Sequence, residues 1–219
     1  MSGLVSKVAP GAVLVTVMGV GGLVQQAVAE TGDRLLRVGI STMDTDSKSE
    51  SFSSISGSGI ELDDANTATI TAAYFFADNM AVELTTGLPY QHDLQGNSRL
   101  RDLGIDKIAE VKSVSTTLGV QFYFPNETMF RPYAGVGGTY TSFYDEEMEI
   151  GGIDVNLDES LDYSLLVGAD MEIQNNLFVN LDARYHNIDT TAEFSGAIDE
   201  NIEMDVDPFV YTLGLGYRF

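Results

Sequence analysis

The chain has 219 residues, 44% apolar and 20% charged, with 33 acids against 11 bases and a formal charge of −22. That balance excludes a nucleic-acid binder, whose affinity needs Lys and Arg massed against phosphates. The lack of Cys excludes disulfides, thiolate nucleophiles and zinc–thiolate or iron–sulfur sites. A single β-rich domain fits the length and the 22 Gly.

Residues 1–29 hold no acid, one base (Lys7) and an apolar stretch from Val8 to Val24, followed by Ala27-Val28-Ala29. A small-x-small triplet after an apolar run suits signal peptidase. The segment 1–29 is therefore read as a secretory signal peptide and 30–219 as the exported chain. A membrane anchor is the alternative, opposed by Gly11, Gly19, Gly21 and Gly22.

From Asp33 onward no run of about 18 apolar residues offers a spanning helix; alternation takes over. Leu36, Val38 and Ile40 alternate with Arg37, Gly39 and Ser41. Ile70, Ala72, Tyr74 and Phe76 alternate with Thr69, Thr71, Ala73 and Phe75, and Val82, Leu84 and Leu88 with Ala81, Glu83 and Gly87. The pattern recurs in Thr117 to Phe124, Leu161 to Ile173, Leu177 to His186 and Phe209 to Phe219. Arg131 to Tyr144 completes a set of eight strands, though its Gly-rich sequence leaves its two faces unassigned.

A water-soluble sandwich also alternates; the connectors decide between them. Ala77-Asp78-Asn79, Pro125 to Met129 and Gln174-Asn175-Asn176 are short. Asp44 to Asn66, Gln91 to Val111, Asp145 to Asp158 and Phe194 to Glu203 are long and polar. Strict alternation of short and long connectors puts all turns at one rim and all loops at the other, the pattern of an eight-stranded antiparallel up-and-down transmembrane β-barrel. Two aromatic girdles are expected, one with Phe75, Phe76, Phe122, Phe124, Phe178, Tyr217 and Phe219 by the turns. The other holds Tyr90, Tyr144, Tyr163, Tyr185 and Phe209 by the loops. About a third of these rings should instead be core packing.

Several segments together resemble the outer-membrane protein W (OmpW) family over essentially the whole exported chain. They are Leu36-Arg37-Val38-Gly39, Ala77 to Leu84, Pro89-Tyr90-Gln91-His92-Asp93, Glu110-Val111-Lys112, Arg131 to Gly137 and Asp205 to Phe219, matched in order and spacing. The resemblance implies a bacterial outer-membrane barrel of a Gram-negative cell, a porin-like hydrophobic channel with a narrow apolar interior and a lateral opening. It implies passive passage of small hydrophobic or amphipathic solutes, contact with outer-membrane lipid and lipopolysaccharide, and insertion by the barrel-assembly machinery through a terminal signal carried by Tyr217 and Phe219. No enzyme activity, cofactor or metal is expected.

Eight strands enclose an interior just wide enough for side chains. Arg37, Glu83, Asp170, Glu172, Asp182, Arg184 and Arg218 fall on inward positions in the turn-side half, where buried charges must pair. A salt-bridge plug is expected there, either a structural filler or a gate. Above it Ser41, Met43, Thr71, Thr85, Gly87, Ser115, Thr117, Ser164 and Leu166 are uncharged. Leu88-Pro89-Tyr90 is the candidate lateral exit, because Pro lacks the amide that would tie its strand to a neighbour; a proline that merely ends the strand is the plainer alternative. The competing function is a closed structural or interaction barrel serving envelope integrity or stress adaptation. His92-Asp93 with Ser98 is a weak fragment of a hydrolytic site, and the acid-rich third and fourth loops read first as a solvated rim.

Overall fold

The computed structural model describes residues 30–45, 47–49, 51, 57–104, 106–125, 128–148, 153–196 and 199–219; the predicted signal segment lies outside them. In chain order the elements are β1 (Arg34–Asp44), β2 (Ser47–Ser49), β3 (Ile60–Leu62), β4 (Ala65–Ala77), β5 (Met80–Gly87), β6 (Tyr90–Gly96) and helix α1 (Ser98–Asp102). Then come β7 (Lys107–Tyr123), β8 (Phe130–Met148), β9 (Ile153–Leu157), β10 (Ser160–Gln174), β11 (Leu177–His186), β12 (Ile188–Gly196), β13 (Glu200–Val206) and β14 (Phe209–Arg218).

Strands β1, β4, β5, β7, β8, β10, β11 and β14 pair antiparallel in that order, and β14 pairs back to β1. The ring of eight has no edge, as hydrocarbon requires of a backbone that can find no water. Tight turns follow local chemistry: the β10–β11 turn places Asn176 at φ 67°, a left-handed conformation that Asn tolerates.

The outer face is apolar. Ile40, Leu118, Val136, Val167, Leu181 and Leu213 are all about three-fifths exposed or more, a band that only lipid would cover. A loop-side girdle runs continuously from Tyr163 to Tyr185, Phe209 and Tyr211, with ring centroids 6.4, 5.3 and 6.4 Å apart. The turn-side girdle includes Phe122 against Phe124 and Tyr217 against Phe219. Phe75, Phe178 and Tyr90 do not belong to these belts. Each falls on the inward phase of its strand and is buried.

The connectors expected as long polar loops are largely β structure. β7 begins at Lys107, β8 reaches Met148, and β2, β13, β12 and β9 form a second four-stranded sheet above the barrel. Between this sheet and the upper parts of β3, β6 and β7 lies a buried apolar core that includes Leu94, Ile108, Val111, Phe194, Ile202 and Met204. The acids do face water, because β13 alternates: Glu203 and Asp205 are exposed while Ile202, Met204 and Val206 are buried.

Candidate functional site

Two buried ion pairs cross the lower lumen. Arg37 on β1 grips Asp170 on β10 through Nε at 3.1 Å and Nη2 at 2.6 Å, and Arg184 on β11 reaches Glu83 on β5 at 2.7 Å. Neutral groups complete the shell. The Tyr123 hydroxyl accepts from Arg37 and lies 3.1 Å from Gln121 Oε1, and the Gln121 amide donates to Glu83. Asn180 donates to Asp170 Oδ1 at 2.9 Å and to the Tyr133 hydroxyl at 2.8 Å, and that hydroxyl donates to Asp182 at 3.3 Å. Arg37 also lies 5.1 Å from the Tyr133 ring centroid.

Five of the seven charged positions singled out above, Arg37, Glu83, Asp170, Asp182 and Arg184, thus share one network. Glu172 and Arg218 lie below it at the turn rim. Glu172 accepts from the Asn176 amide at 3.3 Å, while Arg218 sits 3.6 Å from Asp33 and 5.1 Å from the Phe178 ring centroid. Sequence reasoning missed Tyr123, Tyr133, Gln121 and Asn180. Parity along β7 and β11 identifies three of them as inward; Tyr133 was hidden in the strand of unassigned faces.

Above the charges the lumen is lined by hydroxyls bonded to one another. Ser41 bridges Thr69 and Thr212 at 2.9 Å each, Thr71 meets Thr85 at 2.8 Å, Ser115 meets Thr141 at 2.9 Å and Thr117 meets Thr139 at 2.8 Å. This level is polar, not the apolar interior that the family resemblance implied, and Leu166 belongs to the apolar cluster that includes Phe75, Tyr123 and Phe178. The cavity here measures ≈ 40 Å³, room for a few waters and no open channel. Directly over it Met43, Ala65, Tyr90 and Val210 form an apolar layer.

At the height of that layer the wall is unsewn. β3 and β4 together make the second barrel staircase, and β5 and β6 the third. Buried positions are odd on β4 (Ala65, Thr67, Ala73, Phe75) and even on β3 (Ile60, Leu62), so the phase flips across Asp63-Asp64. They are odd on β5 (Ala81, Glu83) and even on β6 (Tyr90, His92, Leu94), so it flips again across Leu88-Pro89. The register is the same on either side: Thr69 opposes Gly87 and, equally far along both strands, Leu62 opposes Leu94. Between the two flips, Ala65 and Thr67 point inward where the opposing Gln91 and Pro89 point outward. Opposed residues of an antiparallel pair must share a face, so a ladder cannot form there.

The hydrogen bonds agree. The last backbone bond below the seam is Leu88 N to Ala68 O at 2.9 Å and the first above it is Asp63 N to Asp93 O at 3.1 Å. The gap spans four residues on each strand, 64–67 and 89–92, about 17 Å over five steps at ~3.3 Å per residue. Side chains close its two ends: Thr67 Oγ1 donates to Leu88 O at 2.8 Å, and His92 Nδ1 lies 3.0 Å from Asp63 O. Pro89 sits in a one-residue bulge, since five steps from Thr85 to Tyr90 oppose four from Thr117 to Ser113 on β7. Leu88, well exposed on the outside, also lines the lumen cavity. Asn66 is in register with Thr42 and through it with Tyr211, so the seam opens at the loop-side girdle.

His92 lies above that girdle and outside the membrane-spanning stretch. It is buried, stacks on Tyr90 at 5.9 Å between centroids, and its Nε2 is 3.2 Å from Ser113 Oγ. Burial lowers its pKa below the ordinary imidazole value, against the pull of Asp63 and Asp64. Asp93, its sequence neighbour, turns away to Lys107 at 3.0 Å, so the His92-Asp93 pair is not assembled.

A family model described as the OmpW family matches residues 30–219. Outer membrane protein W of Vibrio cholerae is 30% identical over 198 residues, covering 87% of this chain and 90% of that protein. The crystal structure of OprG from Pseudomonas aeruginosa is similar at 29% identity with a TM-score of 0.78, covering 87% of this chain and 97% of that one. A more distant relative, 24% identical over 87% of this chain and 90% of its own length, is the dibenzothiophene metabolism operon protein PahQ of Pseudomonas aeruginosa. With a closed eight-strand ring, a lipid-facing apolar band and these matches, the chain belongs to the OmpW family and is a β-barrel of the bacterial outer membrane.

Proposed function

We propose that this barrel gives small hydrophobic or amphipathic molecules a passive route into the outer membrane, leaving sideways through the seam at Leu88, Pro89 and Tyr90. The observation that carries this reading is the phase mismatch between Ala65–Thr67 and Pro89–Gln91, which leaves a gap in a wall that is otherwise hydrogen-bonded. Polarity points the same way. Met43, Tyr90 and Val210 present apolar surface to a solute at the seam, whereas going further down means displacing bonded hydroxyls and then buried ion pairs. The network around Arg37 and Glu83 acts as the plug that turns the route aside. A relative named for a dibenzothiophene metabolism operon fits an apolar aromatic solute.

The second reading, a closed structural barrel, is favoured by the buried apolar core above the seam. One experiment separates the two. Asn66 and Gln91 are exposed on opposite lips of the seam, and the chain has no native Cys to interfere. In cells lacking the native protein, an Asn66→Cys/Gln91→Cys disulfide should abolish protein-dependent uptake of N-phenylnaphthylamine, with recovery on reduction. Equal uptake oxidised and reduced would reject the lateral route. Lipopolysaccharide and the assembly machinery enter as partners of the same reading, the latter through the outward-facing Tyr217 and Phe219 at the end of the chain.

A further inference from the structure

We infer that His92 is the positioning residue that sets the upper end of the seam, a side-chain strap standing in for the backbone bonds that the phase mismatch forbids. This rests on the lateral route proposed above and adds a residue that limits how far the slot extends.

The argument is geometric. Above the girdle, the segment Asp63-Asp64 must cross from the β4 phase to the β3 phase while staying beside β6. Two side chains of β6 tether it: the Gln95 amide donates to Asp63 Oδ2 at 2.9 Å, and the His92 ring holds the backbone. A carbonyl oxygen only accepts, so the proton of the neutral ring is on Nδ1, donated to Asp63 O at 3.0 Å. Nε2 is then left to accept from the Ser113 hydroxyl at 3.2 Å, on the far side, on β7. The imidazole therefore joins three consecutive members of the wall: the β3–β4 junction, β6 and β7. Its face stacks on Tyr90, which belongs to the apolar layer at the seam. Thr67 makes the corresponding tie at the lower end, to Leu88 O. Remove the His92 tie and the first cross-strand bond above the gap, Asp63 N to Asp93 O, becomes its new terminus, with Gln95 on the Asp63 carboxylate as the remaining side-chain tie.

Spin labels on Asn66→Cys and Gln91→Cys read the width of the seam by electron–electron distance measurement in reconstituted, full-length mature protein. His92→Phe keeps the ring volume and the stack on Tyr90 but can make neither hydrogen bond; His92→Gln can make both. The Phe variant should broaden and lengthen the label distance by several ångströms and raise N-phenylnaphthylamine uptake several-fold, while the Gln variant stays near the parent in both. Ser113→Ala, which removes only the β7 partner, should fall between them and serves if the Phe variant does not fold. Unchanged distances in the Phe variant, or in Ser113→Ala where Phe fails, overturn the strap. A wider seam with unchanged uptake supports the strap and instead rejects the lateral route, which the disulfide experiment tests independently.

Discussion

Arg184 on β11 and Glu83 on β5 meet at 2.7 Å although their strands stand diametrically opposite in the ring of eight, four strands apart in either direction. The pair is a strut across the lumen, and both partners are almost fully buried. Glu83 is fixed further by Gln121, so its carboxylate cannot follow Arg184 if the arginine moves.

Glu83→Gln should therefore cost about 3–5 kcal/mol, because it leaves the Arg184 guanidinium buried without its counter-charge. Replacing both partners with Met should cost much less than that, since it removes two desolvated charges together. Urea unfolding in lipid bilayers, followed by the loss of the heat-resistant folded band, measures both. If the single and double variants are equally damaged, the strut contributes through packing alone.

Gly168 on β10 lies against the same network. A methyl group there would come within 2.6 Å of the Tyr133 ring and hydroxyl and 2.7 Å of Asp182 Cβ. Gly168→Ala should destabilise by roughly 1–3 kcal/mol through overpacking, and Tyr133→Leu should relieve only part of that penalty, because Asp182 Cβ still stands 2.7 Å away. Simple additivity of the two substitutions would show that the ring can move aside freely.

The His92 tie carries a pH dependence with a definite sign. Burial holds its folded pKa below the unfolded value of about 6.5, and the groups opposing that shift are Asp63 and Asp64 at the β3–β4 junction. Ser113 on β7 and Tyr90 on β6 add no charge near neutrality. The neutral ring's contribution is thus complete above pH ~6.5 and declines as pH falls from there toward the lowered folded value, by up to about 1.4 kcal/mol per unit. Amide exchange at Asp63 and Ala65 should accelerate on going from pH 7 to pH 5 after correction for intrinsic rates, and His92→Gln should flatten the profile.

How much of this the amino-acid order discloses depends on which forces act locally. Alternation at Leu36, Val38 and Ile40, and its repeats, reports directly which face meets lipid, so the barrel and the inward charges Arg37, Glu83, Asp170, Asp182 and Arg184 are legible. Their partners are less so: Tyr133 sits in a strand where Gly135, Gly137 and Gly138 erase the contrast between faces. The extracellular core was written in period two as well, in Ile202, Met204 and Val206, but the acids between them dominate the composition and read as loop. The seam at Pro89 is different in kind. Proline hints at a break, yet the mismatch arises from a second phase change at Asp63-Asp64, and neither change alone opens a wall. Only the shared register of the two strands shows that the changes occur at different heights.

The core above the barrel should yield without the barrel yielding. Leu94 is fully buried at its centre, and Leu100 brings α1 onto the same cluster, which shares no residue with the aromatic core at the turn side. Leu94→Ala should cost at least about 2 kcal/mol from lost burial and the cavity left behind. Because α1 carries Arg99 and Arg101, loosening that core presents them to trypsin. When opening is fast relative to cleavage, the rate follows the open population, so a 2 kcal/mol loss predicts roughly 30-fold faster cutting there. The heat-resistant mobility of the barrel should stay as in the parent. Equal loss of both would mean that the two cores unfold as one unit and that the cap is a continuation of the barrel's own stability.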